Sequence, residues 1–411
     1  MDKYTIDTKE NREFLDQNAL DLLNFGRRFP SPGGGSYYLG DDGTPWIDRP
    51  RETWITSRMA HVYSIGAMMG VDGCKELAAE AIKGLNGELR DDTNGGWFAG
   101  RGPDGTVLPT KQCYAHAFVI LSGTSAKLAG VEGADALLTR ALKTYDEKFW
   151  DDEEGLSCDT WNTEFTVLDD YRGINANMHT VEAFLAAADM FEIEGNMEKS
   201  RKYRDRAGRI IKRVLGWASS NDYRIPEHFT KDWQPDLQKN KEKPDDPFKP
   251  YGATPGHGIE WARLISQWAV SAGEADRFVP EAEKIYNRAI EDAWDKDGAP
   301  GIVYTTDWEG RPVVRDRMHW TLAEAINTSA VLYRLSSNVK YKEDFSKFMD
   351  YLDSVVIDHS CGSWYHQLDE NNHLKGTVWP GKSDVYHAFQ AMLIPYRRVD
   401  KSIAAAVKTG E

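Results

Sequence analysis

Apolar positions recur every three to four residues along most of the chain, in about twelve helix-length segments. These segments alternate in character. One kind has a clear charged face, as in 75–90, 133–150 and 198–217, and is typical of helices on the outside of a fold. The other kind is apolar most of the way round, which is typical of a buried helix. The segments of the apolar kind begin near residues 54, 111, 177, 257, 318 and 385.

Short phrases rich in glycine and aromatic residues separate these helical segments. They are GGSYYLG at 34–40, GGWFAG at 95–100, GLSCDTW at 155–161, NDYRIPEHF at 221–229, GIVYTTDW at 301–308 and GSWYHQLD at 362–369. The phrases start about 60 to 80 residues apart, and a recurrence of this kind indicates a repeated supersecondary unit. The pattern predicts an all-α fold, an (α/α)6 barrel or toroid of six inner and six outer helices with short β-hairpins in the loops.

The chain shows no change of composition that would mark a boundary between domains. We therefore expect one catalytic domain over residues 1–411. The charge-rich segment 231–249 lies inside one helical hairpin. We interpret it as an extended surface loop, with a lid over a binding site as the alternative.

Composition narrows the class of protein. The 411 residues carry a net charge of −15, and no basic run is present, so nucleic acid is not an expected partner. The sequence contains no apolar run long enough to predict a membrane span, and its first residues do not resemble a secretory signal. The four cysteines are widely spaced, which fits a reducing cytoplasm better than a disulfide scaffold. The 47 aromatic side chains (14 Trp, 18 Tyr and 15 Phe) suit a large core, a carbohydrate cleft or both.

Histidines cluster where the inner helices are predicted to begin. Six of the ten lie there: His61, His116, His179, His257, His319 and His387. Since these helix starts converge at one mouth of the barrel, the repetition favours a shared site over six unrelated core residues. His179 and His257 are each followed by a glutamate three positions later, on the same helix face. Such a carboxylate can fix the tautomer of a nearby imidazole, and this favours proton transfer near neutral pH over metal binding.

Other residues at the mouth could contact a sugar. Arg58 could hold a sugar oxygen or stabilise an enediolate, and Trp54, Tyr114, Trp320 and Trp379 could stack on a ring. Two rival classes stay open from the residues alone. A glycoside hydrolase would need an acid pair drawn from Glu182, Glu260 and Glu324. A non-catalytic sugar-binding protein would use the aromatic residues but would have no need of paired histidines.

Four long motifs resemble the N-acylglucosamine 2-epimerase superfamily, and within it the bacterial aldose–ketose isomerases. They are WITSRMAHVYS (54–64), RGINANMHTVEAF (172–184), YGATPGHGIEWARL (251–264) and GKSDVYHAF (381–389). The resemblance covers nearly the whole chain and implies the same (α/α)6 fold. It also implies isomerisation of a free hexose through a cis-enediol, with no cofactor and no metal.

The resemblance implies a role for each matching residue. His387 moves the proton at C2, His257 is the acid/base at the C1 side, and Glu260 orients His257. Arg58 lies near the reacting oxygens, and His179 is a further catalytic histidine of the site. The residues expected to bind substrate are Trp54, Tyr114, His116, Asn175, Trp320, His366 and Ser383.

The expected substrate follows from His366 and Ser383. Sulfoquinovose isomerases tend to have glutamine side chains at such positions, to hold the C6 sulfonate. A histidine and a serine favour the neutral C6 hydroxyl of D-mannose, which would be converted to D-fructose, with D-lyxose as a further substrate. Sulfoquinovose isomerisation and 2-epimerisation of mannose and glucose are the alternatives. A homo-oligomer is possible.

Overall fold

We describe residues 3–411 from a computed structural model of the protein. The described chain contains thirteen α-helices: α1 (Lys9–Gly26), α2 (Thr53–Met68), α3 (Cys74–Asn86), α4 (Cys113–Leu128), α5 (Ala134–Lys148), α6 (Ile174–Ile193), α7 (Met197–Ser219), α8 (Pro255–Ser271), α9 (Ala275–Ala293), α10 (His319–Ser336), α11 (Val339–Tyr351), α12 (Tyr386–Leu393) and α13 (Ile403–Thr409). A π-helical turn (Leu352–Val356) follows α11, and a 3-10 turn (Ile394–Tyr396) follows α12.

Helices α2, α4, α6, α8, α10 and α12 form the inner ring, each packed against the next and α12 against α2. Helices α3, α5, α7, α9 and α11 each pack outside the inner helix that precedes them, and α1 packs on α12. The predicted (α/α)6 barrel is therefore confirmed. The inner helices are buried nearly all the way round because they face both the barrel axis and the outer ring. No helix in residues 3–411 is both long and apolar enough to span a membrane.

Seventeen short strands lie in the loops of the described chain: β1 (Tyr38–Leu39), β2 (Pro45–Trp46), β3 (Arg51–Glu52), β4 (Gly100–Arg101), β5 (Val107–Leu108), β6 (Thr110–Gln112), β7 (Trp150–Asp151), β8 (Leu156–Ser157), β9 (Thr160–Asn162), β10 (Arg172–Gly173), β11 (His228–Phe229), β12 (Thr305–Thr306), β13 (Pro312–Val314), β14 (Arg317–Met318), β15 (Ile357–Asp358), β16 (Ser363–Trp364) and β17 (Gln367–Leu368).

Strands that immediately precede inner helices pair with the loop of the following repeat. The antiparallel pairs of this kind are β3 with β4, β6 with β9, β10 with β11, and β14 with β17. Each pair uses backbone hydrogen bonds to hold an inner-helix start in place at the mouth. A bridge between Ala253 and Thr306 does the same just before α8. Side chains in the first turns of the inner helices are therefore held on a rigid rim.

The opposite end of the barrel is closed by α13, which the sequence pattern did not predict. This short helix packs against α2, α4 and α6 through Ile403, Val407 and the three alanines between them. The backbone N–H of Ser402 donates to Asp189 Oδ2 at 2.6 Å, which ties the start of α13 to α6. Because α13 fills this end, a ligand would enter the barrel from the mouth.

Candidate active site

A cavity of about 660 Å³, including its opening to solvent, lies where the inner helices begin. The residues that line it are Trp54, Arg58, Tyr114, Asn175, His179, Pro247, Phe248, Pro250, His257, Glu260, Tyr304, His319, Trp320, His366, Trp379, Ser383, Asp384 and His387. All of the site residues predicted from the sequence are among them except His116.

Three histidines of the cavity share one arrangement, in which a buried glutamate contacts Nδ1. The pairs are His179 Nδ1 with Glu182 Oε2 at 3.2 Å, His257 Nδ1 with Glu227 Oε2 at 3.0 Å, and His387 Nδ1 with Glu324 Oε1 at 3.2 Å. A carboxylate at Nδ1 accepts the N–H there and leaves Nε2 with its lone pair, so the neutral ring can act as a base. The site therefore holds three imidazoles fixed in one tautomer.

The partner of His257 corrects the expectation from the sequence. Glu260 does not contact the imidazole, and Glu227 takes the orienting position. Glu227 immediately precedes β11, whose pairing with β10 brings it towards the mouth. Its only signal in the sequence is its place in the repeated phrase at 221–229. The HxxE spacing correctly paired His179 with Glu182, but His257 turns towards the loop instead of along its own helix.

Glu260 instead belongs to a buried group of charges below the histidines. Arg263 donates from Nε to Glu324 Oε2 at 2.7 Å and from Nη2 to Glu260 Oε1 at 3.3 Å. Burial and the charge of Glu324 raise the pKa of Glu260 well above its ordinary value, and Oε2 of Glu260 has no hydrogen-bond partner. Burial also opposes ionisation of Glu324, but Arg263 and His387 hold its pKa below the ordinary value. Glu324 is thus the charged partner of Arg263, whereas the surroundings of Glu260 favour its neutral form.

Two groups in this region have the donor types of a metal site. Ligand atoms of His179, Glu182 and Glu260 lie within 4.8 Å of one another, as do those of Glu260, Glu324 and His387. Both groups share Glu260, to which Arg263 is already bonded. The guanidinium supplies the positive charge that a metal ion would bring, and the raised pKa of Glu260 makes it a poor ligand. The residues therefore fit a metal ion poorly.

Arg58 lies on the cavity wall beside His387. Its Nη1 donates to Asp384 Oδ2 at 3.2 Å, its Nη2 donates to the Tyr114 hydroxyl at 2.9 Å, and Nη2 lies 3.4 Å from His387 Nε2. The Phe118 ring packs 4.7 Å from the guanidinium carbon, which restricts its orientation. Burial opposes the charge on Asp384, but Arg58 holds the pKa of that carboxyl below its ordinary value. A positive group is thus fixed next to one candidate base.

Burial favours the neutral form of His179, His319, His366 and His387. Burial lowers the pKa of His179 to about 4 and that of His319 to about 3. Burial also lowers the pKa of His387, and the charge of Arg58 acts in the same direction against the opposing effect of Glu324. His366 stacks on His319 with ring centroids 3.7 Å apart, and burial places its pKa well below the ordinary value.

Trp320 lies between the two histidines that the sequence assigned to proton transfer. Its ring centroid is 4.9 Å from that of His257 and 5.9 Å from that of His387. A Cβ atom at Gly256 would stand 2.7 Å from the Trp320 ring, so glycine there allows the indole to pack against α8. The two imidazoles therefore flank one aromatic surface on which a small ligand could lie.

Segment 231–249 takes part in the site. Phe248 makes edge contacts with Trp54 and Trp379 at ring-centroid distances of 6.4 and 5.3 Å, and it narrows the opening of the cavity. The Asn240 side chain donates to the Lys249 carbonyl at 2.6 Å, which fixes the end of the segment. The sequence left a surface loop and a lid as alternatives, and this geometry is that of a cover.

His116 lies outside the cavity, contrary to its predicted place among the substrate ligands. Its Nδ1 lies 2.7 Å from the Gln112 carbonyl, and its Nε2 accepts the backbone N–H of Trp97 at 3.1 Å. Both ring nitrogens are therefore occupied by the fold. The inner-helix histidine His61 also lies outside and bonds Ser125 Oγ at 2.7 Å. His116 lies in the first turn of α4 and His61 deeper in α2, so position in the repeat does not determine which way a ring turns.

The remaining predicted contacts all reach the cavity. Oδ1 of Asn175 is buried and has no hydrogen-bond partner, so it is free to accept from a ligand hydroxyl. Ser383 donates to Asp384 Oδ2 at 3.2 Å. Residues that sequence reasoning missed are Glu227, Tyr304, Asp384 and the cover residues Pro247, Phe248 and Pro250. They lie in loops, where no helical period points to them.

Comparison with known proteins places this site in a family. Residues 34–391 match the model of the N-acylglucosamine 2-epimerase (GlcNAc 2-epimerase) family. The chain is 39% identical to a D-mannose isomerase of Pseudomonas cannabina pv. alisalensis, with 97% of this chain and 95% of that protein covered. It is 38% identical to a D-mannose isomerase of Thermobifida fusca, with 97% of each covered.

A solved structure agrees with these relatives. The fold matches a crystal structure of D-mannose isomerase with a TM-score of 0.86 and 27% sequence identity, over 95% of this chain and 98% of that one. The family model covers far more than half of the sequence, and the four motifs that resemble the superfamily all reach the cavity or the helices around it. The chain belongs to the N-acylglucosamine 2-epimerase family.

Proposed function

We propose that the protein is an aldose–ketose isomerase that interconverts D-mannose and D-fructose. The observation that carries the proposal is the pair of histidines, His257 and His387, that flank Trp320 in one cavity, each with a glutamate on Nδ1. Relatives at 38–39% identity over nearly the whole chain are D-mannose isomerases. A free monosaccharide is the substrate class that fits a cavity covered by Phe248.

The reaction needs removal of the weakly acidic C2 proton of the open-chain aldose. We assign this step to Nε2 of His387, which is neutral because burial lowers its pKa. The electron pair of the C2–H bond forms the C1=C2 double bond, and O1 takes up a proton to give the cis-enediol. In the second half the O2 hydroxyl loses its proton, the C2 carbonyl forms and a proton adds to C1. We assign the C1 side to His257.

Charge that develops on the sugar oxygens needs a fixed positive group. Arg58 meets this need because its guanidinium is held by Asp384 and Tyr114 within 3.4 Å of His387 Nε2. His179, which is kept neutral by burial, lies 6.4 Å from His387 between ring centroids and completes the polar wall. Ring opening of the bound pyranose is assigned to the same His–Glu apparatus, which can protonate the ring oxygen.

The charge of the cavity supports a neutral sugar. A C6 sulfonate would need a free cation or several donors, whereas Arg58 is the one Arg or Lys side chain on the cavity wall in the described chain, and Asp384 already neutralises it. His366 and Ser383 do line the wall, as the sequence comparison with sulfoquinovose isomerases required. This supports mannose, and lyxose as its shorter analogue, over sulfoquinovose.

The glycoside hydrolase alternative has little support from the carboxylates. Glu182 and Glu324 are held against histidines, and neither lines the cavity. Glu260 lines it, but its nearest acidic neighbour on the wall, Asp384, is bonded to Arg58. An acid pair on opposite sides of a glycosidic bond is therefore lacking among the described residues.

Proton NMR of the purified protein with mannose, glucose and sulfoquinovose in separate tubes tests the proposal. Fructose from mannose is the expected result. Glucose from mannose without fructose would identify a 2-epimerase, turnover of sulfoquinovose alone would identify the sulfosugar isomerase, and no change in any tube would reject the proposal.

A further inference from the structure

A lysine, a cysteine and an aspartate form a tight cluster just outside the cavity wall. Lys382 Nζ donates to Asp358 Oδ2 at 2.6 Å and to Cys361 Sγ at 3.0 Å, and Cys361 Sγ donates to the same Asp358 oxygen at 3.3 Å. The Lys382 side chain is fully buried. Burial fixes the amine nitrogen next to the sulfur, so the two reactive groups are held at hydrogen-bond distance.

Cys361 differs from the other three cysteines in its surroundings. Cys74, Cys113 and Cys158 are buried, whereas Cys361 lies partly exposed in the turn between β15 and β16. Burial raises the pKa of Cys74 and of Cys158 to about 11 and that of Cys113 well above its ordinary value. Those three stay protonated and shielded, so a small oxidant in solvent reaches Cys361 first.

We propose that Cys361 and Lys382 form an oxidative modification site, in which hydrogen peroxide oxidises the sulfur and the lysine nitrogen then captures it. The site is independent of the isomerase assignment, since none of its three side chains lines the cavity.

The chemistry balances with the groups present and one equivalent of peroxide. The Cys361 thiol loses its proton to solvent and its sulfur attacks one peroxide oxygen, so an S–O bond forms and the O–O bond breaks. The leaving hydroxide takes a proton from the Lys382 ammonium and departs as water, which leaves a sulfenic acid beside a neutral amine. The amine nitrogen then attacks the sulfur, an S–N bond forms, and a second water leaves. Sulfur is oxidised, peroxide is reduced, and the linked product has two hydrogens fewer than the reduced protein.

The link would join two segments that carry cavity residues. Lys382 is followed by Ser383 and Asp384, and the turn of Cys361 leads through β16 to His366. The link also removes the positive charge of Lys382, and with it the ion pair that neutralises Asp358. We therefore expect the linked form to turn over substrate more slowly, and expect a thiol reductant to restore the rate.

Peptide mapping of the full-length protein after peroxide treatment tests the proposal. Trypsin cuts after Lys382 in the reduced protein and releases peptide 376–382. The linked form is expected to lose this peptide and to yield 348–375 joined to 376–397, two hydrogens lighter than their sum, with reversal by dithiothreitol. Cys361→Ser is expected to abolish the joined species, and the matched control Cys158→Ser to retain it.

Lys382→Arg separates the two steps, because the guanidinium keeps the positive charge but does not capture the sulfur. In this variant we expect a sulfenic acid at Cys361, which dimedone traps. We expect no joined peptide. A wild-type protein in which peroxide gives only the dimedone adduct would overturn the capture step. Modification at Cys74 or Cys158 before Cys361 would overturn the site itself.

Discussion

On α2 and α4 the inner-ring histidines turn away from the cavity, whereas on α6, α8, α10 and α12 they line it. His116, His179 and His387 lie in the first two turns of their inner helices, whereas His61 is the ninth residue of α2. The side of α2 and α4 instead presents Arg58, Trp54 and Tyr114 to the cavity. The cavity thus has a side that presents imidazoles and a side that presents the guanidinium of Arg58 with two aromatic rings.

The two groups of histidines differ in the hydrogen-bond partners of their ring nitrogens. His116 bonds two backbone groups and has no free nitrogen, and a Cβ at Gly96 would stand 2.7 Å from its Nε2. His387 has a glutamate at Nδ1 and presents Nε2 to the cavity beside Arg58. A repeat therefore supplies similar positions, and a glutamate at Nδ1 makes three of them, His179, His257 and His387, available for chemistry.

Loss of a cavity imidazole is expected to have the largest effect. His387→Ala or His257→Ala should reduce kcat by about 10²–10⁴-fold, because each removes a group proposed to transfer a proton. The rate of fructose formation measures the loss, and circular dichroism checks the fold. Near wild-type turnover by a folded variant would contradict the assignment.

Loss of an orienting carboxylate is expected to be the next largest effect. Glu227→Gln should reduce kcat by roughly 10- to 100-fold, because the amide keeps the shape but loses the charge that stabilises the imidazolium. Glu260→Gln is the matched control. The surroundings of Glu260 raise its pKa and so favour the neutral carboxyl, which an amide resembles, and the expected change in kcat is much smaller. Equal losses in the two variants would place Glu260 back beside His257.

The pH dependence of the rate tests whether His387 acts as a buried, neutral base. A base is active when it is deprotonated, and burial lowers the pKa of His387 below the ordinary value of 6.5. The acid limb of kcat/KM is therefore expected at a pH below that value, with a plateau through neutral pH. A profile of kcat/KM between pH 4 and pH 9 measures it. An acid limb clearly above the ordinary value would contradict a buried, neutral base.

A structural histidine is expected to affect stability and leave chemistry nearly unchanged. His116→Ala leaves the buried N–H of Trp97 without an acceptor, which costs about 1–3 kcal/mol of the free energy of unfolding. Thermal or denaturant unfolding measures this loss, and kcat is taken at a temperature where the variant is folded. A large fall in kcat without loss of stability would restore His116 to the site.

Most of the fold could be predicted because the helical period is local. The inner helices begin at 53, 113, 174, 255, 319 and 386, close to the expected starts. The thirteenth helix was missed because its short alanine-rich segment has no charged face to set its period. In the site, the histidines, Arg58 and the aromatic residues could be found from their place in the repeat. Glu227 could not, because it lies in the loop between α7 and α8, where no helical period relates it to His257.

In the proposed mechanism His387 removes the proton at C2 of the sugar and His257 supplies one at C1, through an enediol. The most direct test is conversion of mannose by the purified protein in D2O, with the fructose examined by NMR at C1. The account predicts deuterium at C1, because a proton held on histidine exchanges with solvent. Fructose that carries only protium at C1 after complete conversion would mean a direct hydride shift and would contradict the account.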